Sequence, residues 1–413
     1  MTTTIIITLC SLLLIAYLFD YSFKKTKIPS VILLLLLGWL VKQGTMLFEL
    51  DLPDLSNILP ILGTTGLILI VLEGSLELEL NKDKITLIKK SFFGALAPLL
   101  ALSFLLAYIF EMYGGYSFKD SLINAIPLCV ISSAIAIPSV RNLSTSNKEF
   151  VIYESSLSDI LGVVFFNFVL RNDTFGFNSF GVFGLQLVII TLISFIATVG
   201  LSFLLSKIEH HIKFVPIILL TLLIYAISYV YHLPALIFIL IFGLSIGNLN
   251  ELHNLKFFNV FRTDILNKEV QKFKELTIEA TFLIRSLFFL LFGYLLETSE
   301  ILNTTTLIWS IGIVILIFSL RALQLKLSKL PLKPLLFVAP RGLITVLLFL
   351  SIEPFNVIGL VNKSLIIQVI VLTALVMMFG VITSNPEKAE AEQRKAAEAK
   401  TNGEDIKSTV KAS

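Results

Sequence analysis

Long apolar runs, each of a length that crosses a lipid bilayer as a helix, repeat along most of the chain and constrain its fold more than any other feature. Only 15% of the 413 residues are charged, against about a quarter in soluble domains. We therefore predict an all-α polytopic membrane protein with about thirteen spans. They cover about 4–18, 28–44, 57–76, 88–111, 121–140, 151–170, 182–206, 214–231, 233–249, 280–296, 302–323, 333–352 and 363–383.

The net charge of +3 is too small to indicate a polyanionic partner, so the lipid bilayer is the expected partner and nucleic acid is not. The loops alternate in charge: odd-numbered loops carry Lys and Arg, whereas even-numbered loops are acidic or nearly neutral. Because short basic loops stay in the cytoplasm, the N-terminus is predicted outside and the C-terminus inside. The expected location is the plasma membrane, in a bacterium the inner membrane.

The composition changes sharply after residue 383, where a polar segment rich in Glu, Lys and Ala begins. This change divides the chain into a transmembrane domain, 1–383, and a cytoplasmic tail, 384–413.

Two of the predicted spans contain helix breakers. The fifth holds Pro127 and Pro138 around CVISSAIAI, and the twelfth holds Pro340-Arg341-Gly342. The third and tenth spans, LILIVLEGSLELE and FFLLFGYLLE, also resemble each other while running in opposite directions. Paired broken helices in oppositely oriented halves are typical of inverted-repeat transporters, whose ion site lies where the broken helices cross.

Ionisable residues within spans are costly and usually functional. Three acids and three bases are predicted inside the spans, which also permits a purely structural interpretation as three ion pairs. These residues are Glu73, Glu154, Asp159, Arg285, Arg321 and Arg341.

The sixth span, FVIYESSLSDILGVVFFNFVL, is the most informative. Glu154 and Asp159 lie about 140° apart around a helix, so they do not readily share a partner. Ser155 and Asp159, four residues apart, share a face, and Ser158 lies beside them. Asp159 is near the middle of the span, where a single carboxylate can bind a proton or a small cation but not both. This competition is the simplest basis for exchanging one for the other.

These residues resemble the monovalent cation:proton antiporter superfamily, specifically the sodium/proton exchangers with some features of the potassium-efflux branch. The signature of that family is a Glu-Ser pair, a polar residue followed by Asp, and Gly-Val-Val. The resemblance extends in order over nearly all of the membrane region. It rests on Glu154-Ser155, Ser158-Asp159 and Gly162-Val163-Val164, on the second span, on VLEGSLEL, and on the sequences around Arg285, Arg321 and Arg341.

The resemblance implies a homodimer in which each chain has a dimerisation subdomain and a mobile core subdomain. It makes Asp159 the carrier of ion and proton, pairs Glu154 with Arg321, and makes Ser155 a candidate ligand oxygen. Glu73 matches a residue of the proton route in some relatives, and a structural role near the cytoplasmic end is an equal alternative. Arg285 and Arg341 could offset helix dipoles or bind carbonyls.

Two departures from the family pattern concern the site. Ser158 stands where Asn usually precedes the carrier Asp. The fifth span has Ser132-Ser133 rather than Thr-Asp-Pro, which places Ser133 where the potassium-efflux branch has threonine. With one carrier acid and Glu154 neutralised by Arg321, we predict electroneutral one-for-one exchange. Na⁺ is the expected cation and K⁺ the alternative.

The main prediction is therefore a secondary active transporter that exchanges protons for a monovalent cation and serves pH homeostasis. A sodium-coupled symporter and a passive cation channel are the alternatives. An enzyme is not expected, because the sequence lacks HExxH and clustered acids at a membrane face. No cofactor is predicted, and Asp159 is expected to bind the transported metal cation. Further candidate ion- or proton-binding residues are Ser155, Ser158, Ser133 and Glu73.

Overall fold

A computed structural model describes residues 2–26, 28–49, 55, 57–78, 84–140, 143–172, 176–207, 214–231, 233, 235–248 and 263–383. The tail predicted over 384–413 lies outside these residues. So do several loop residues used for the orientation, including Lys27, Lys82, Arg141 and Arg262.

Fifteen α-helices and two short 3₁₀ turns make up the described part of the chain, which contains no strand. The helices are α1 (Thr2–Thr26), α2 (Ser30–Leu47), α3 (Ile58–Glu77), α4 (Ile85–Gly114), α5 (Phe118–Cys129), α6 (Ser133–Ser139), α7 (Thr145–Arg171), α8 (Phe177–Lys207), α9 (Phe214–Val230), α10 (Ala235–Gly247), α11 (Thr263–Leu295), α12 (Thr298–Ile301), α13 (Thr304–Leu327), α14 (Leu343–Leu350) and α15 (Lys363–Thr383). The 3₁₀ turns are Leu335–Phe337 and Pro354–Asn356.

Within the described ranges, eight helical segments are long and apolar enough to cross a membrane, with α5 and α6 counted together. Shorter apolar helices lie at Ile6–Ser22, Phe214–Val230 and Ala235–Gly247. The prediction of an all-α, multi-pass membrane protein is confirmed. Thirteen spans stays a prediction, because α7 and the interrupted segment around α14 do not meet the length and apolarity criteria by themselves.

Small residues allow α2 and α11 to pack backbone to backbone. A Cβ added at Gly38 would lie 2.8 Å from the backbone nitrogen of Tyr294, and one added at Gly293 would lie 2.9 Å from Cα of Leu35. Such reciprocal glycine contacts are a common way for helices to associate in lipid. Helix α3 packs against both α11 and α10, whereas α4 packs against α5, α7 and α13. The division into a dimerisation and a core subdomain remains a prediction.

The two predicted helix breaks lie next to each other. The chain is not helical over residues 130–132, between α5 and α6, nor over 338–342, before α14. The residue before a proline avoids the helical region, which explains the second break at Pro340. The backbone nitrogen of Ser132 donates to the carbonyl oxygen of Pro340 at 2.9 Å. This bond joins the two broken segments and leaves other backbone groups of each segment for neighbouring side chains.

Candidate ion-binding site

Helix α7 passes beside the joined breaks and carries most of the predicted site residues. It packs against α3, α4, α5, α6, α10 and α14, so its central turns are enclosed by protein. The Glu154 and Asp159 side chains are each only 1% exposed, although they face different neighbours. Two buried acids on one helix need separate partners, since an unpaired buried charge is costly.

Asp159 faces the first residue of α6. Its Oδ2 accepts hydrogen bonds from the Ser133 backbone nitrogen, at 3.2 Å, and from the Ser133 hydroxyl. Its Oδ1 is buried and has no hydrogen-bond partner among the described residues. The carboxyl group is therefore held at one oxygen by neutral donors and keeps its other oxygen available, and no described arginine bonds to it.

Residues 130–132 run along α7 and fix the position of Asp159 relative to the break. Ser158 Oγ accepts a hydrogen bond from the Ile131 backbone nitrogen at 2.9 Å. One turn further along, a Cβ added at Gly162 would lie 3.3 Å from Cβ of Val130. The Gly in the Gly-Val-Val motif thus lets the broken segment approach the helix, and the polar residue before Asp159 satisfies a backbone donor exposed by the break.

Glu154 pairs with Arg321 on α13. The guanidinium makes two hydrogen bonds to the carboxylate, one of them 2.7 Å between Nη2 and Oε2. Gln324, one turn along α13, accepts from Arg321 Nη1 at 2.9 Å and donates to Glu154 Oε1 at 3.2 Å. Arg321 Nε also donates to the carbonyl oxygen of Leu335, at 3.3 Å. The pair is thus bidentate and further hydrogen-bonded, which is the geometry that compensates for burying two charges.

Arg341 connects the two broken segments. Its Nε donates to the carbonyl oxygen of Leu128 at 2.7 Å, and its Nη1 donates to that of Ala339 at 2.9 Å. Its backbone nitrogen donates to Thr373 Oγ1 on α15 at 3.1 Å. Carbonyls in the last turn of a helix have no partner within the helix, so this arginine satisfies an acceptor that the break in the fifth span leaves unpaired.

Three further predicted residues have different surroundings. The Ser155 hydroxyl donates to the carbonyl oxygen of Val151 on its own helix, at 2.7 Å. Glu73 is partly exposed in the last two turns of α3. Arg285 is buried in α11, and no hydrogen bond or ion pair of its guanidinium is found within the described part of the chain.

A cavity of about 550 Å³ lies alongside the C-terminal half of α7. It is lined by residues of α7, α8 and α9 and by residues after α14, among them Val164, Asn167, Arg171 and Glu353. Val164 is five residues from Asp159, or roughly 7.5 Å along the helix axis. Five residues also correspond to about 140° around the helix, so the cavity lies on a different face of α7 from the buried Asp159 side chain.

Gln324 and Thr373 make contacts in the site, but the sequence did not single them out. Gln324 could have been recognised, because it lies three residues after Arg321 and hence on the same helical face. Thr373 could not have been recognised from the sequence, because its partner is a backbone nitrogen 32 residues away.

Among the described residues, no group of three or more His, Cys, Asp or Glu side chains could hold a metal ion.

An all-helical membrane protein in which two interrupted helices meet beside a buried acid has the architecture of a secondary transporter. The family model of the sodium/hydrogen exchanger transmembrane domain matches residues 10–385. The chain belongs to the sodium/hydrogen exchanger family. This is a family of transporters and not of enzymes, as the sequence predicts.

Two solved structures of the sodium proton antiporter MjNhaP1 from Methanocaldococcus jannaschii share the fold. The first, determined at pH 8, is 18% identical, with a TM-score of 0.60 over 94% of this chain and 97% of the other. The second, from electron microscopy, is 19% identical, with a TM-score of 0.66 over 92% of this chain and 95% of the other. No curated protein sequence matches the chain.

Proposed function

We propose that this protein exchanges protons for a monovalent cation across the membrane by alternating access, and that Asp159 binds the two in turn. Membership of the sodium/hydrogen exchanger family supports the exchange. The observation that supports Asp159 as the carrier is its buried carboxyl group, which has one oxygen bonded to Ser133 and the other without a partner.

The arrangement suits competitive binding at one group. Ser133 donates two hydrogen bonds to Oδ2 and so stabilises the carboxylate, while Oδ1 can accept a proton or contact a cation. Either occupant neutralises the charge, which lowers the cost of moving the buried group between the two sides of the membrane. Ser158 bonds to the backbone of Ile131 and acts as a positioning residue in this scheme.

Na⁺ is the proposed cation because the family is that of sodium/hydrogen exchangers and MjNhaP1 is a sodium proton antiporter. K⁺ is the alternative, since the broken fifth span lacks the acid of the Thr-Asp-Pro pattern and Ser133 stands where the potassium-efflux branch has threonine. A direct test uses purified protein in liposomes with a preset proton gradient, to which Na⁺, Li⁺, K⁺ or choline is added. Exchange predicts cation-triggered proton movement with alkali ions and none with choline. Current without proton coupling would indicate a channel, and uptake of an organic anion with Na⁺ would indicate a symporter.

The exchange is expected to be electroneutral. Glu154 is fully paired with Arg321, so only the single charge of Asp159 is available to alternate between one proton and one cation. Clamping the membrane potential of the liposomes at zero or at −100 mV with valinomycin and K⁺ should leave the initial rate of Na⁺/H⁺ exchange unchanged. A rate that changes several-fold with potential would show that a second charge moves in the cycle.

The proposed assembly is a homodimer in the plasma membrane, with the N-terminus outside and the tail in the cytoplasm. The loop charges support this orientation. Helix α8 has a largely exposed apolar surface that includes Val182, Leu185, Val188, Leu192 and Ile196, which suits contact with lipid or with a second copy. In a cell, proton exchange of this kind would contribute to pH homeostasis.

A further inference from the structure

The cavity of about 550 Å³ beside the C-terminal half of α7 has a polar wall. Its lining includes one guanidinium, that of Arg171, and one carboxylate, that of Glu353, together with the amides of Asn167 and Gln186. Both charged side chains are exposed. The two charges lie on separate elements, since Arg171 ends α7 and Glu353 follows α14. Among the described lining residues, the cavity thus offers one positive and one negative group.

A second cavity, of about 530 Å³, lies between α8 and α9 and is lined almost wholly by apolar side chains. The two cavities share Leu233, so they are neighbours. On α8 the polar cavity is lined between Ser179 and Gln186, and the apolar cavity is lined by Ile189 and Ile193. The stretch from Ser179 to Ile193 covers roughly 21 Å of the helix axis. A polar chamber that is followed by an apolar one has the shape that an amphiphile requires.

The polar cavity fits the headgroup of a zwitterionic phospholipid. Arg171 can bind a phosphate through paired N–H donors, and Glu353 can bind a positively charged amine. The aromatic rings of the wall already have partners. Arg171 lies over the Tyr229 ring at 5.9 Å, and the rings of Phe168 and Phe183 contact each other with 5.0 Å between their centroids. A quaternary ammonium is recognised by aromatic faces, whereas a primary ammonium donates hydrogen bonds to oxygens, so the wall favours ethanolamine over choline.

The depth of the cavities in the membrane also suits a lipid. The proposed orientation places the C-terminal end of α7 and the N-terminal end of α8 at the outer side. Tyr229 and Tyr231, at the outer end of α9, are 55% and 73% exposed. Tyrosines at span ends commonly lie at the interface between headgroups and hydrocarbon. A headgroup bound there would let an acyl chain run along α8 toward the middle of the bilayer.

We propose that the two cavities form a binding site for phosphatidylethanolamine. Its phosphate binds Arg171, its ammonium binds Glu353, and an acyl chain occupies the groove between α8 and α9. The site lies on a different face of α7 from Asp159, so it is separate from the proposed ion site. A lipid seated there joins α7 to α8 and α9, and it stabilises the folded protein because it binds that state alone.

The test measures the Tm of the detergent-purified full chain after addition of phosphatidylethanolamine, phosphatidylcholine or phosphatidylglycerol with identical acyl chains. Phosphatidylethanolamine should reach its half-maximal shift in Tm at about one tenth of the concentration that the other two lipids need, the effect of one favourable charged contact. Native mass spectrometry should show the same lipid retained preferentially. Equal responses to all three lipids, or a stronger response to either of the others, would overturn the proposal.

Two variants assign the headgroup contacts. Glu353→Gln should remove the preference for phosphatidylethanolamine, and Arg171→Gln should weaken all three lipids, because each carries a phosphate. The matched control is Glu111→Gln, which removes an acid in the last turn of α4 that lines neither cavity, and it should keep the preference. A preference that survives Glu353→Gln, or that is lost equally in Glu111→Gln, would contradict the site. Asp159→Asn should retain the lipid response, so the result does not depend on which group carries the ions.

Discussion

Asp159→Asn is expected to abolish cation-triggered proton movement, with a loss of at least about a hundredfold relative to the wild-type protein. The amide is almost the same size as the carboxyl group and can still accept the Ser133 hydrogen bonds through its oxygen. It carries no charge and does not take up a proton, so it cannot alternate between the two ions. Initial rates of proton movement after addition of Na⁺ to proteoliposomes provide the measurement.

A matched control is Asp120→Asn. Asp120 is also an acid, but it lies in the first turn of α5, where it bonds to Ser117 and Asn356 rather than to the breaks. This variant should keep exchange within about twofold of wild type, since changes remote from a site usually have small effects. Substantial exchange by Asp159→Asn would show that another group carries the ions. Equal losses in both variants would show that the assay reports damage to the fold.

The sequence was sufficient to predict the helical membrane fold, because apolar runs separated by charged loops leave few alternatives. It also predicted the positions of both breaks. The exact number of spans was harder to predict. Glu154 and Asp159 mark α7 as a site, but they also make it less apolar and so harder to count as a span. The residues around Pro340 form only a short helix after an extended segment.

Parts of the candidate site that depend on residue spacing along one helix could be predicted from the sequence. Contacts that depend on how separate helices pack could not. The angular separation of Glu154 and Asp159 correctly indicated that they would face different neighbours. The same periodicity places Ser155 near Asp159, but it does not reveal that the Ser155 hydroxyl donates to the Val151 carbonyl of its own helix. The roles of Arg285 and Glu73 stay predictions, because neither residue is shown in contact with the Asp159 carboxyl group.

The second large effect is expected from Arg321→Ala, which should sharply lower the yield of folded, monodisperse protein. Among the residues that the structure describes, it leaves Glu154, 1% exposed, with only the amide of Gln324 as a partner. Removing one member of a buried ion pair costs about 3–5 kcal/mol, because the remaining charge is neither paired nor hydrated. That is a large fraction of the total stability of a typical protein. The measurement is the monodisperse fraction in size-exclusion chromatography after extraction, together with the Tm.

Glu154→Gln with Arg321→Gln in one chain should recover much of the yield, since two neutral amides in contact carry no buried charge. Lys84→Ala is the matched control, because Lys84 and Glu149 also pair at 3.0 Å but are partly exposed, with 24% and 28% of their side-chain surfaces accessible. Exposed pairs contribute about 0–1 kcal/mol, so that variant should behave like wild type. If Arg321→Ala and the double variant were purified in equal yield, the buried charge of Glu154 would not be what Arg321 compensates. The electroneutral scheme would then lose its basis, because it requires Glu154 to stay paired while Asp159 alone changes its occupant.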